Sequence, residues 1–198
     1  IITGAFFRIH SLFQPNILDI FFWTLSVYYI VRYINSEQIK FLYLLCASLV
    51  LGFLGKYSIV FIGASLIITL LISKHRKLFT EKKIYLAALI ALLFVLPNIW
   101  WQYSHNWPLI HHMEELQETQ LKFLNPGDFI KDQFLFLLPA VFVWITGLVW
   151  LFKNRQWRFL FFAYFLVIIL LIMGRGKSYY SLGVYPMLLA AGAVSLEK

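Results

Sequence analysis

The sequence is short of charge. Lysine, arginine, aspartate and glutamate make up 13% of its 198 residues, about half the share of an ordinary soluble domain. Acids number nine against 17 bases. Cysteine occurs once. That excludes an internal disulfide, and Cys46, inside an apolar run, reads as a small buried hydrophobe. The glycine patterns of phosphate loops and dinucleotide folds are missing, as are H-E-x-x-H and a Ser/His/Asp arrangement. No secretory leader opens the chain. It starts at Ile1, not at Met, and reads as part of a longer protein.

Apolar residues fill the space. They are 61% of the chain, and phenylalanine alone occurs 20 times. A soluble domain of this length has too small a core to hide that surface, whereas a bilayer solvates it. The expected fold is all-α: one domain, 1–198, forming a polytopic transmembrane helix bundle. A span needs roughly 20 apolar residues, and about seven segments approach that. They are 17–34, 39–54, 58–73, 84–101, 134–152, 159–173 and 182–196. The second and third need a break at Gly55-Lys56, since a continuous helix would overrun the hydrocarbon layer.

The net charge of +8 would suggest nucleic acid in a soluble protein. Here the bases fall in loops. Lys74, Arg76, Lys77, Lys82 and Lys83 form one cluster, and Lys153, Arg155 and Arg158 another. Both fit the cytoplasmic side of one alternating topology, with Arg32, Lys40 and Lys198. No nucleic-acid partner is expected; the bilayer is. The segment before residue 17, the loop 102–133 and the turn 174–181 then lie outside. Trp100, Trp101, Tyr103 and Trp107 form an aromatic belt at that boundary. Residues 111–116 suit a short interfacial helix, ended by a turn at Asn125-Pro126-Gly127-Asp128.

Ionisable groups beside spans are functional candidates. Asp19 either caps the first span or partners a cation. Lys56 either snorkels or binds a phosphate. In Gly174-Arg175-Gly176-Lys177-Ser178-Tyr179-Tyr180, two bases stand outside against the positive-inside bias. Glycines there would let the backbone approach a ligand, and Arg and Lys would hold phosphate oxygens; an ordinary polar turn is the alternative. His105, Asn106 and Trp107 suit contact with a sugar or acceptor, or belong to the belt. His111 and Glu115 share a helical face, but a solvated face is the simpler reading, and no metal site or cofactor is expected, with a divalent ion left open. Three cations and one carboxylate at one membrane depth favour an anionic ligand.

Four stretches carry a family resemblance: Pro15-Asn16-Ile17-Leu18-Asp19, Leu51-Gly52-Phe53-Leu54-Gly55-Lys56-Tyr57, Pro97-Asn98-Ile99-Trp100-Trp101 through His105-Asn106-Trp107, and Gly176-Lys177-Ser178-Tyr179-Tyr180 through Tyr185-Pro186 to Gly192. In this order the sequence resembles the bacterial branch of the GT-C glycosyltransferases of the protein-mannosyltransferase and aminoarabinose-transferase type. The resemblance implies an inverting transferase, multi-pass in the bacterial inner membrane. It would move a sugar from a polyprenyl-phosphate donor to a lipid, glycan or protein acceptor on the extracytoplasmic face. It also implies that Asp19, Lys56 and Tyr180 lie at the lipid-phosphate end of the cavity. On their charge alone, Arg175 and Lys177 are expected as supporting bases there, and Tyr179 joins His105, Asn106 and Trp107 as a candidate contact for the sugar or acceptor. The chain has Leu182-Gly183 where the family often has Leu-Pro. The catalytic base is expected on a loop upstream of Ile1, so that this stretch alone would bind donor but turn over poorly. A catalytically inactive scaffold and a lipid or anion transporter are the alternatives.

Overall fold

The computed structural model describes residues 14–197 together with residues 4, 6 and 11. Arg8, His10 and Lys198 lie outside the described residues. Among the described residues the chain is helical throughout, without strands. The helices are α1 (Asn16–Ser36), α2 (Ile39–Gly55), α3 (Ile59–Leu71), α4 (Lys82–Ser104), α5 (Pro108–Thr119), α6 (Pro126–Phe136), α7 (Val141–Lys153), α8 (Arg158–Met173) and α9 (Tyr185–Leu196). Short 3-10 turns cover Lys74–Thr80, Leu121–Phe123, Leu138–Ala140 and Ser178–Val184.

All seven expected segments are helical, but they are unequal. Three are long and apolar enough to cross a bilayer alone: Asn16–Ser36, Lys82–Ser104 and Ser178–Leu196. The number rises to five if two bent pairs count as single spans. One pair joins α3 to the Lys74–Thr80 turn at 104°, and the other joins α6 to Leu138–Lys153 at 65°. The second bend sits at Pro139, which lacks the N–H a helix interior requires. The helix expected to start at 134 therefore starts earlier, at Pro126, and folds over midway. α3 is 13 residues long, about 20 Å, and does not match a hydrocarbon layer of about 30 Å unaided.

The turn signal at Asn125 acts differently from expectation. α5 has already ended at Thr119, and Asn125 instead opens α6, its side chain accepting from the Gly127 N–H at 2.7 Å. Asn is a strong residue for that role.

Packing follows three close pairs: α1 with α2, α3 with α8, and α7 with α9. The last is a backbone contact. A Cβ on Gly147 would run into the Leu188 carbonyl, and one on Gly192 into the Val143 carbonyl. Trp23, Ile30, Leu182, Tyr185 and Leu188 are fully buried at the centre. By contrast α4 buries only Ala87 and Gln102. Apart from its two ends and Asn98 it is apolar all round, so lipid or other helices must surround it.

The up-and-down course collects particular ends together. At one end lie the start of α1, the α2–α3 break, the last turns of α4, and the Ser178–Val184 turn. At the other lie the end of α1, the Lys74–Thr80 turn, the start of α4 and the α7–α8 turn.

Candidate functional site

The site forms at the first of these ends, around Lys56. Gly55 closes α2, and the Lys56 backbone is extended (φ −163°, ψ 126°) before Tyr57 and Ser58 turn into α3. Gly52, one turn earlier, has no room for a side chain: a Cβ there would stand 2.9 Å from Ile59 and 3.1 Å from Phe22. Its hydrogen lets α1 and α3 close on the break and direct Lys56 inward.

Lys56 reaches α1. Its Nζ donates to Asn16 Oδ1 at 2.8 Å and stands 3.4 Å from Asp19 Oδ2. The ring of Tyr180 lies 4.1 Å away and that of Tyr179 5.7 Å, placing the ammonium over two π faces. The Asp19 side chain is 5% exposed and that of Lys56 18%. Burial lowers the proton affinity of Lys56 from its ordinary value; Asp19 opposes that, and the nearby charge of Lys177 adds to it. Ser58 and Trp23 flank the Asp19 carboxylate. Asp19 Oδ1, Ser58 Oγ and Trp23 Nε1 are buried together, the hydroxyl and the indole N–H being the polar neighbours of the carboxylate.

Asp19 therefore does not cap α1. The helix begins at Asn16, and no side chain bonds its first turn from the cap position. The carboxylate is the partner of Lys56, while its place in the first turn still favours the helix dipole.

Lys177, Tyr179 and Tyr180 enter from the turn before α9. Lys177 Nζ donates to Gln120 Oε1 at 2.7 Å. The turn is tied to α6 by a buried polar network. Ser178 donates to Asp132 at 2.6 Å, and both Ser181 (2.5 Å) and Tyr185 (2.6 Å) donate to Gln133 Oε1. Gly183 belongs to this positioning. A Cβ there would stand 2.6 Å from the Trp23 ring, so the glycine at this place is the residue that lets the turn lie on α1.

Arg175 lies elsewhere. The segment Gly174-Arg175-Gly176 is the stop of α8. The Gly176 N–H bonds the Leu171 carbonyl at 2.7 Å, and the Arg175 N–H that of Ile172 at 3.1 Å, the pattern of a Schellman motif. Arg175 itself takes the left-handed conformation (φ 50°), and neither glycine does. The glycines end a helix here. The exposed Arg175 lines a cavity of about 200 Å³ with Lys122 and Asn125, apart from the contacts of Lys56.

His105, Asn106 and Trp107 follow α4. His105 stacks on Trp101 of its own helix, with centroids 4.5 Å apart. Asn106 and Trp107 are both left-handed (φ 58° and 57°), uncommon for Asn and an outlier for so bulky a residue as Trp. All three are exposed. The buried residue of this stretch is Gln102. It donates to Tyr57 Oη at 2.8 Å and accepts from the Leu109 N–H at 3.2 Å, while Tyr57 donates to Asn98 at 3.0 Å. Asn16, Tyr57 and Asn98 stand in the stretches that carry the family resemblance but were not read as site residues, and neither was Gln102. Asn98 and Gln102, four apart on an apolar helix, share a face, and that spacing was the available signal.

Among the described residues, no group of three His, Cys, Asp or Glu side chains is placed to hold a metal. His111 approaches Glu114 at 3.5 Å on exposed α5.

The model of the family described as dolichyl-phosphate-mannose-protein mannosyltransferase matches residues 2–101. The match takes in Asn16, Asp19, Lys56, Tyr57 and Asn98, and ends before the turn that carries Lys177, Tyr179 and Tyr180. Neither a curated protein nor a solved structure matches the chain significantly.

Proposed function

The chain belongs to the dolichyl-phosphate-mannose-protein mannosyltransferase family, a family of membrane glycosyltransferases, and from that premise we propose that it is the donor-binding part of a GT-C-type enzyme using a polyprenyl-phosphate sugar. The acceptor is a hydroxyl of a lipid, glycan or protein. The reaction runs on the extracytoplasmic face of a bacterial inner membrane. The supporting observation is the Lys56 ammonium, held at one end of the bundle by Asn16 and Asp19 beneath the Tyr179–Tyr180 pair. A lysine has three donors, and Asn16 and Asp19 engage two. The third, with the nearby Lys177, suits the phosphate of a lipid-linked sugar at the headgroup level.

In this reading the acceptor hydroxyl attacks the anomeric carbon, that carbon's bond to the phosphate oxygen breaks, and the lipid phosphate leaves with the bonding pair. Lys56 and Lys177 stabilise the charge that grows on the leaving oxygen, as oxyanion-hole donors do. Asp19, paired with Lys56, is not the base. The proton of the acceptor is assigned, as part of the proposal, to a carboxylate on a loop preceding residue 1. Arg175 takes no part at the phosphate in this arrangement; its place beside Lys122 leaves it a guiding charge on the same face. A transporter would need charged groups near mid-membrane. Asp19, the buried acid among the described residues, sits instead at a helix start.

The test is sugar transfer by the full-length enzyme from a polyprenyl-phosphate sugar, comparing wild type with Lys56→Ala. A loss of about 10²- to 10³-fold in kcat is expected. Wild-type rate and donor affinity in that variant would end the proposal. Donor binding without any transfer by the wild-type enzyme would favour a scaffold.

A further inference from the structure

The opposite end of the bundle holds the largest polar cavity of those described, about 710 Å³. Its charged and aromatic wall includes Tyr33, Glu37, Lys74, His75, Lys77, Glu81 and Lys83, over an apolar floor that includes Ile34, Ile39 and Leu78. None of these charges pairs with another; the ion pairs of the described residues are at Lys56, His111 and Lys131. Both carboxylates line the same cavity as the Tyr33 ring. Two of the three lysines belong to the Lys74–Thr80 turn, set at 104° to α3.

A cavity at the end of spanning helices that keeps unpaired charges of both signs is suited to a ligand carrying both. Lysines alone would follow from the topological bias of membrane proteins. The two carboxylates facing the same space would not. A second cavity indicates what such a ligand is attached to. An apolar groove of about 380 Å³ runs along α1 past Val27, Tyr28 and Val31 to Asn35, against Trp150 and Trp157. Asn35 accepts from Gln156 at 3.3 Å, and Gln156 lines the polar cavity. The groove and the cavity thus meet at one hydrogen bond, apolar on one side and charged on the other.

We propose that this paired groove and cavity bind a phospholipid with an amine-bearing headgroup, its phosphate on Lys74, Lys77 and Lys83, its ammonium between Glu37, Glu81 and the Tyr33 ring, and an acyl chain in the groove. Basic pockets between helices at the membrane surface take phospholipid headgroups, and the carboxylates select among them. A primary ammonium donates hydrogen bonds to carboxylates; the quaternary ammonium of a choline headgroup has no N–H to give. A glycerol headgroup satisfies the lysines and leaves the carboxylates facing each other's charge. The site is independent of the sugar-transfer reading.

The experiment uses the purified full chain in detergent with phosphatidylethanolamine, phosphatidylcholine or phosphatidylglycerol added at equal mole fraction, read by thermal unfolding and by native mass spectrometry of the bound lipid. Phosphatidylethanolamine should bind about tenfold more tightly than phosphatidylcholine, the worth of one charge-assisted hydrogen bond. Glu37→Gly should abolish that preference and retain phosphatidylglycerol binding. Glu37 is left-handed (φ 54°), where glycine is at ease, so a folding defect is not a competing cause. Lys74→Gln with Lys77→Gln should lose all three lipids. Equal affinity for the ethanolamine and choline lipids, or a preference that survives Glu37→Gly, overturns the proposal. So does an equal thermal shift from soluble phosphoethanolamine or inorganic phosphate, which would make the ligand a free phosphate.

Discussion

Lys56 Nζ stands 3.4 Å from Asp19 Oδ2, joining the break between α2 and α3 to the first turn of α1. Removing one member of a buried pair is costlier than removing both, since a lone buried charge remains. Asp19 is the more deeply buried of the two. Lys56→Met should therefore destabilise the protein by about 3 kcal/mol. The double variant with Asp19→Asn should recover most of it. Unfolding in detergent measures the cycle; equal losses in the single and double variants would show the pair to be uncoupled.

The pH dependence has a definite sign. The folded Lys56 releases its proton below the ordinary value of 10.5, chiefly because it is buried. Between that lowered value and 10.5 the unfolded chain keeps a proton the folded protein has lost. Stability of the ligand-free protein thus rises with pH in that window. Affinity for an anionic donor falls across it, because the neutral amine no longer attracts phosphate. Lys177 lowers the Lys56 value, so Lys177→Gln should move the alkaline limb of kcat/KM to higher pH. A limb that stays in place would separate the two lysines.

Much of this was legible in the sequence, for physical reasons that differ by residue. Lys56 and Asp19 stood out because charge at a span boundary is expensive, and their meeting at one end follows from alternating spans. The aromatic pair Tyr179–Tyr180 came with the family resemblance. Arg175 misled because a Gly-Arg-Gly run reads equally as a ligand loop or as a helix stop; the choice depends on which residue takes φ above zero, and here it is the arginine. Asn98 and Gln102 were hidden because a polar side chain on an apolar helix carries no charge to mark it. The carboxylates Glu37 and Glu81, at the end opposite Lys56, were overshadowed by the bases around them, and only folding places both on one cavity.

Gln133 holds the Ser178–Val184 turn to α6 by accepting from Ser181 and Tyr185. Gln133→Ala leaves two buried hydroxyls without that acceptor, each costing about 1–3 kcal/mol, though Ser181 keeps its bond to the Ser178 carbonyl. A loss of about 2 kcal/mol in unfolding is expected, together with a raised KM for the donor, because Tyr179 and Tyr180 ride on the turn. A stability loss with KM unchanged would place the network outside donor binding.

Gly183→Ala puts a methyl group into the Trp23 ring. Overpacking of this kind costs about 1–3 kcal/mol. Trp23 is fully buried, so its displacement should also alter the near-ultraviolet circular dichroism. An unchanged spectrum and unfolding midpoint would mean that the turn moves aside freely.

At Gly147 and Gly192 the main chains of α7 and α9 rest on each other with nothing between them. The spacing between α7 and α9 at that contact is accordingly a matter of peptide groups. Tyr179 and Tyr180 hang just ahead of the start of α9, so their height over Lys56 is indexed to a hinge pin one hydrogen atom thick on either side. A single methyl group at the pin would push the two helices apart and carry the tyrosines with it.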